Sequence, residues 1–123
     1  MGKKTKIEWL SEPEKHDYAA ARSYLSLTLE PHVANGVVER LRPADIVEFA
    51  AKDVFRASGL PLLTAEDSHV DKDRAKIITG EKMAPLLLVR DPGGGKVVVA
   101  DGYHRLCAVY TFDTDAMIPC KIV

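Results

Sequence analysis

The sequence predicts an α+β domain built on a small mixed β-sheet flanked by helices. Its second half alternates strand-length apolar runs with segments of helical period, in the order strand, helix, hairpin, helix, strand. Asp91-Pro-Gly-Gly-Gly95 lies between two apolar runs and carries hairpin chemistry. At 123 residues, 46% hydrophobic and 28% charged, the chain has the composition of one globular unit that buries a real core.

Ile7-Glu-Trp-Leu10 is a short apolar piece, followed by a polar loop over 11–17. Asp17 suits the N-cap of a helix reaching about Leu29, with Tyr18, Ala21, Leu25 and Leu29 at helical spacing. Pro31 fits the first turn of a second helix, whose Val33, Val37 and Leu41 recur every four residues. Gly36 weakens that helix and Pro43 ends it. Trp9 and Tyr24 read as core residues that attach these helices to the sheet. Residues 1–45 are thus expected to form an N-terminal helical extension packed on a core domain, 46–123.

Ile46-Val-Glu-Phe-Ala50 either begins a helix running to Ser58 or forms a short strand before a helix over Lys52–Ala57. Gly59-Leu-Pro61 stops whichever is there. Ser68 is a good N-cap for a helix over His69–Thr79, with Asp71 three residues on and Gly80 as a left-handed C-cap. Val70, Ala75, Ile77 and Ile78 would form its apolar face. Strands are expected at Leu86–Arg90 and Lys96–Ala100, and a helix at Tyr103–Thr111 with Leu106, Val109 and Tyr110 inward. Met117–Val123 closes the chain as a strand, placed at an edge or with its missing N–H outward because of Pro119.

Seventeen Lys and Arg against eighteen Asp and Glu give a net charge of −1. A surface that grips DNA is normally basic, so net charge does not support DNA as a partner and leaves room only for a local patch. No apolar run approaches the roughly 20 residues a membrane span needs. Met1-Gly-Lys-Lys-Thr-Lys6 is basic, but no apolar stretch follows as in a signal peptide, and Lys6 breaks the myristoylation pattern. Cys107 and Cys120 are too few for a disulfide framework, so a cytoplasmic, reduced protein is expected.

The sharpest chemical signal is Asp101-Gly-Tyr-His-Arg105, where an apolar strand ends and a helix opens. Free N–H groups at a helix start favour an anion, and Gly102 would let a phosphate approach the backbone. Arg105 offers a bidentate fork and His104 a titratable donor. Asp101 could hold a magnesium ion that accompanies the phosphate, or take a proton from a hydroxyl. His69, with Ser68, Glu66 and Asp67, opens the other helix expected near this loop. The competing structural account has Asp101 as a cap, Gly102 as a turn, and solvated His104 and Arg105.

Other motifs are weaker. Gly93-Gly-Gly95 before Lys96 has no Gly-Lys-Ser/Thr ending and reads as a hairpin turn. His104 and Cys107 have a metal-compatible spacing with only Cys120 as a third ligand, so both thiols read as structural. His16 and His32 are scattered.

Asp101-Gly-Tyr-His-Arg105, in its strand–loop–helix setting, resembles the signature loop of the ParB/sulfiredoxin-like superfamily, in the Asp-Gly-x-His-Arg branch of its ParB-like nuclease domains. The resemblance extends upstream through Gly80-Glu-Lys-Met-Ala-Pro85 and downstream to the last strand, covering roughly 46–123. It implies a bacterial protein that binds a nucleotide (ATP, ADP or CTP), with or without magnesium, through Gly102, Tyr103, His104 and Arg105, with Ser68 and His69 nearby. Asp101 and His104 would then be the catalytic candidates, and Asp101 the metal ligand. Sulfiredoxins place a cysteine just before their His-Arg pair, where this chain has Tyr103, so sulfinic acid reduction is not expected. Neither the arginine-rich loop nor the helix-turn-helix domain of partition proteins is evident.

Two functional classes follow. One is a small phosphotransferase or nucleotide-hydrolysing enzyme. The other is a non-catalytic nucleotide-sensing or interaction module of a partition, phage or toxin–antitoxin system. ADP-ribosyl transfer, a third use of the fold, finds no distinctive transferase glutamate.

Overall fold

The computed structural model describes residues 6–123. Its elements run α1 (Lys15–Leu25), α2 (Pro31–Leu41), β1 (Val47–Ala50), α3 (Ala51–Ser58), α4 (Ser68–Thr79), β2 (Leu86–Asp91), β3 (Lys96–Asp101), α5 (Tyr103–Phe112) and β4 (Met117–Ile122). The four strands form one mixed sheet in the order β1-β4-β2-β3, with β4 antiparallel to β1 and parallel to β2. The basic opening 1–5, with the signal-peptide and myristoylation readings made on it, lies outside the described residues.

Leu86, Leu87 and Leu88 are all buried because β2 is covered on both faces. Strand side chains alternate in direction, so consecutive leucines enter different layers. Leu87 and Ala100 pack with Tyr18, Ala21 and Leu25 of α1 and Ala34, Val37, Val38 and Leu41 of α2. Leu86, Leu88 and Val99 pack with Val54, Val70, Ile77, Leu106 and Val109 on the side of α3, α4 and α5. Residues 15–41 therefore supply one of the two helical layers, and the sheet's second face would be bare without them. Lys121 fastens the layers together. Its side chain is buried, donates to the Arg42 carbonyl and lies 3.1 Å from Glu12 Oε1.

The ambiguous segment resolves as a strand followed by a helix, with β1 and α3 directly abutting. Several expectations are corrected. β4 is interior, which sets aside the edge among the two readings of Pro119. Pro119 pairs with Glu48 on the β1 side and precedes the first β2–β4 pair, Leu86 with Cys120, so its missing N–H falls before that ladder. α1 begins at Lys15 and ends at Leu25, with Glu14 as N-cap and Asp17 inside its first turn. α4 is capped by Asp67, whose Oδ1 accepts from the His69 and Val70 N–H groups, so Ser68 is the first helical residue. Ala75 and Ile78 of α4 face solvent. Arg74, just before Ala75, turns to α5, donating to Thr111 Oγ1 and lying over the Phe112 ring. Tyr24 is half exposed, while Trp9 packs on the larger core and bridges to Met83. Cys107 and Cys120 are buried free thiols, as the sequence suggested.

Candidate functional site

β3 delivers Asp101 through an irregularity in the sheet. Leu87 pairs with Asp101 and Leu88 with Val99, leaving Ala100 as the extra residue of a bulge. Ala100 packs in the α1–α2 layer and Asp101 approaches Asp17 of α1. Gly102 then turns the chain with φ +108° and starts α5. A Cβ at Gly102 would lie 2.7 Å from Leu86 Cγ and 3.0 Å from Arg105 Nη2. The glycine is thus demanded by the chain's own packing and handedness, before any ligand is considered. It offers no side chain to cap the helix, and no side-chain hydrogen bond caps α5.

Arg105 reaches back from the first turn of α5. Its Nη2 donates to Asp101 Oδ2 at 2.6 Å, and its Nη1 lies 3.6 Å from Asp17 Oδ1. The Arg105 side chain is 15% exposed and Asp17 4%. Asp17 is fixed in turn, because its Oδ2 accepts the Glu14 N–H at 2.7 Å. Arg105 Nε is buried without a hydrogen-bond partner among the described residues. The solvated Arg105 of the structural account is therefore not what the fold builds, and neither is a free guanidinium waiting for an anion. It is clamped between two carboxylates, one from each side of the chain's helical–sheet division.

Burial pushes the Asp101 carboxyl up to about 6, against the pull of Arg105 and helped by the neighbouring Asp17. Asp73 of α4 is also raised by burial, although Lys76 stands 3.9 Å away. Asp67 goes the other way, because the Val70 N–H at the head of α4 favours its charged form.

A cleft of about 280 Å³ opens here, lined by Glu14, His16, Asp17, Asp73, Lys76 and the five residues 101–105. With the histidines neutral, its four carboxylates outnumber Lys76 and Arg105 by two charges. That volume sits at the lower edge of ordinary ligand pockets, which suits a phosphate group better than a whole nucleotide.

Of the residues singled out in the sequence, Asp101, Gly102, Tyr103, His104 and Arg105 share this cleft. The Tyr103 hydroxyl is engaged by the Pro61 carbonyl, pinning the loop before α4. His104 is partly exposed, with Nε2 3.9 Å from Asp67 Oδ1 and its ring 4.9 Å from that of His69. Ser68, His69 and Glu66 do not line the cleft, and His69 reaches it only through its ring contact with His104.

Glu14, His16, Asp17, Asp73 and Lys76 are the cleft residues that sequence reasoning did not assign to the site, His16 having been set aside as scattered. A signal existed for Asp17. It shares a helical face with Ala21 and Leu25, so a charged side chain was heading into an apolar layer. Donor atoms of Glu14, His16 and Asp17 all lie within 4.8 Å of one another, an oxygen-rich set compatible with a hard divalent cation. Cys107 and Cys120 are not part of any such group among the described residues.

Comparison of this chain with protein-family models, curated proteins and solved structures returns no match.

Proposed function

We propose that the cleft at the start of α5 binds the phosphate group of a nucleotide, in a protein of ParB/sulfiredoxin-like type. The observation that carries this reading is the opening of α5 inside the cleft. The helix has no side-chain cap, and Arg105, His104 and Lys76 line the same space. Unsatisfied N–H groups at a helix start are a part from which phosphate sites are built, with His104 and Lys76 as the cationic partners and Arg105, held by Asp101 and Asp17, fixing the loop. The small volume directs the phosphate inward and leaves sugar and base at the mouth.

Magnesium fits the donor chemistry of the site. Glu14, His16 and Asp17 would hold the ion, with Asp101 beside them. Bound there, it would shield phosphate charge and polarise the phosphoryl group. The chain's own contribution to any transfer step is Asp101, which burial poises to take a proton near pH 6 while Arg105 fixes its orientation.

A thermal-shift panel of ATP, ADP, CTP, GTP and NAD, each with and without magnesium, tests binding. A nucleotide at a hundred times its Kd adds about 2.7 kcal/mol, roughly 10 °C in Tm at this chain length. His104→Ala and Arg105→Gln should abolish most of that shift. No shift with any nucleotide rejects the reading, and a shift indifferent to both substitutions places the ligand elsewhere. Product formation with the nucleotide that binds, lost in Asp101→Asn, separates an enzyme from a sensing module.

A further inference from the structure

The α1 helix brings to the cleft a charge that Asp101-Gly-Tyr-His-Arg105 does not itself contain. Asp17 cannot turn away from Arg105. Its Oδ2 is tied to the Glu14 N–H, and the next turns of its helix are locked by Tyr18, Ala21 and Leu25 in the layer against Leu87 and Ala100. Its Oδ1 stands 3.6 Å from Arg105 Nη1, while Asp101 Oδ2 holds Nη2 from the other side at 2.6 Å. A bare anion approaching the guanidinium therefore meets a group already neutralised and a second carboxylate facing it. Glu14 and Asp73 add to the repulsion, and Lys76 alone remains to offset them.

We propose that Asp17 determines the charge class of the ligand, admitting phosphate compounds that carry a divalent cation and excluding the same compounds bare. This rests on the phosphate-binding reading of the cleft. It goes beyond the sequence motif, in which Asp101 could hold a magnesium ion but nothing decides between a bare and a metal-complexed phosphate, by adding a fixed carboxylate from outside the motif. The cation brought by the ligand offsets the excess negative charge that the fixed carboxylate imposes. Asp17 acts here as a specificity residue, by repelling the bare anion and as one of the groups that would hold the cation, and its role is separable from the integrity of the fold because asparagine keeps its shape and its acceptor for the Glu14 N–H.

Isothermal titration of the full chain with ATP, once in excess magnesium and once in EDTA at equal ionic strength, measures the effect. The wild type should bind at least about tenfold more tightly with magnesium. In Asp17→Asn, affinity for bare ATP should rise about tenfold, so the magnesium ratio falls below about threefold. Any preference for the magnesium complex common to both proteins cancels in that comparison. An unchanged ratio in a folded Asp17→Asn overturns the proposal, as does wild-type binding that is equally tight in EDTA. The second result decides the matter without any variant. Absence of binding under both conditions is a different outcome, and it removes the phosphate site together with this proposal.

Discussion

Asp17 Oδ1 and Arg105 Nη1 lie 3.6 Å apart across the junction between the α1–α2 layer and the sheet. This pairing makes the first helix a structural part of the cleft. The same helix face that buries Tyr18, Ala21 and Leu25 aims a carboxylate at the guanidinium. Breaking the contact should therefore be felt both in stability and at the site.

Asp17→Ala should cost about 2 kcal/mol in urea unfolding. It removes one of two counter-ions from a largely buried arginine and the acceptor for the Glu14 N–H. Asp17→Asn should cost about half as much, since the amide oxygen keeps the N–H bond. Equal stability of alanine variant and wild type would show that the contact contributes nothing to the fold.

The Asp101 carboxyl should titrate near 6, followed by carbon-detected NMR of the side-chain carboxyls. Folding raises this acid's pKa, so the protonated form is favoured in the native state. The stability it contributes is present in full below its unfolded value, about 4, and is lost as pH rises through about 6. Asp17→Asn should lower the midpoint by removing a like charge. A wild-type midpoint at or below 4 contradicts the burial of this carboxyl beside Asp17.

Gly102→Ala should destabilise by about 2 kcal/mol or more. It combines a left-handed backbone with a Cβ 2.7 Å from Leu86 Cγ. Gly36→Ala is the control. It lies within α2 with nothing within 4 Å of the added atom, and should stabilise by about 0.5–1 kcal/mol. Thermal unfolding of the two variants should move in opposite directions.

Lys121→Met should lose about 1 kcal/mol, because it keeps the buried stem while leaving the Arg42 carbonyl without its donor. Lys121→Ala should lose about 3 kcal/mol, having added a cavity between sheet and helices. If the two variants unfold together, the lysine's packing has no share in joining the layers.

The sequence made the order of elements legible because the apolar periods and the glycines at 80 and 102 mark their ends. It left two placements of β4 open, since Pro119 forbids a hydrogen bond only where a partner carbonyl stands, and β2 starts one residue later. It misassigned Asp17 and Ser68, because acceptors near a helix start look alike in sequence and only the backbone decides which one caps. The loop 101–105 was found from local chemistry. Its carboxylate partner was not, because the contact between α1 and α5 is a property of layer packing, which no short motif encodes.

Two-dimensional NMR of the Arg105 side-chain N–H and the amides of Gly102, Tyr103 and His104, during titration with magnesium ATP, tests the central claim most directly. The account predicts that these signals shift first and most, saturating together with Lys76 and Asp17. Shifts centred instead on the broader concavity beside Lys52, Phe55, Arg56 and Tyr110, with Arg105 unmoved, would contradict it.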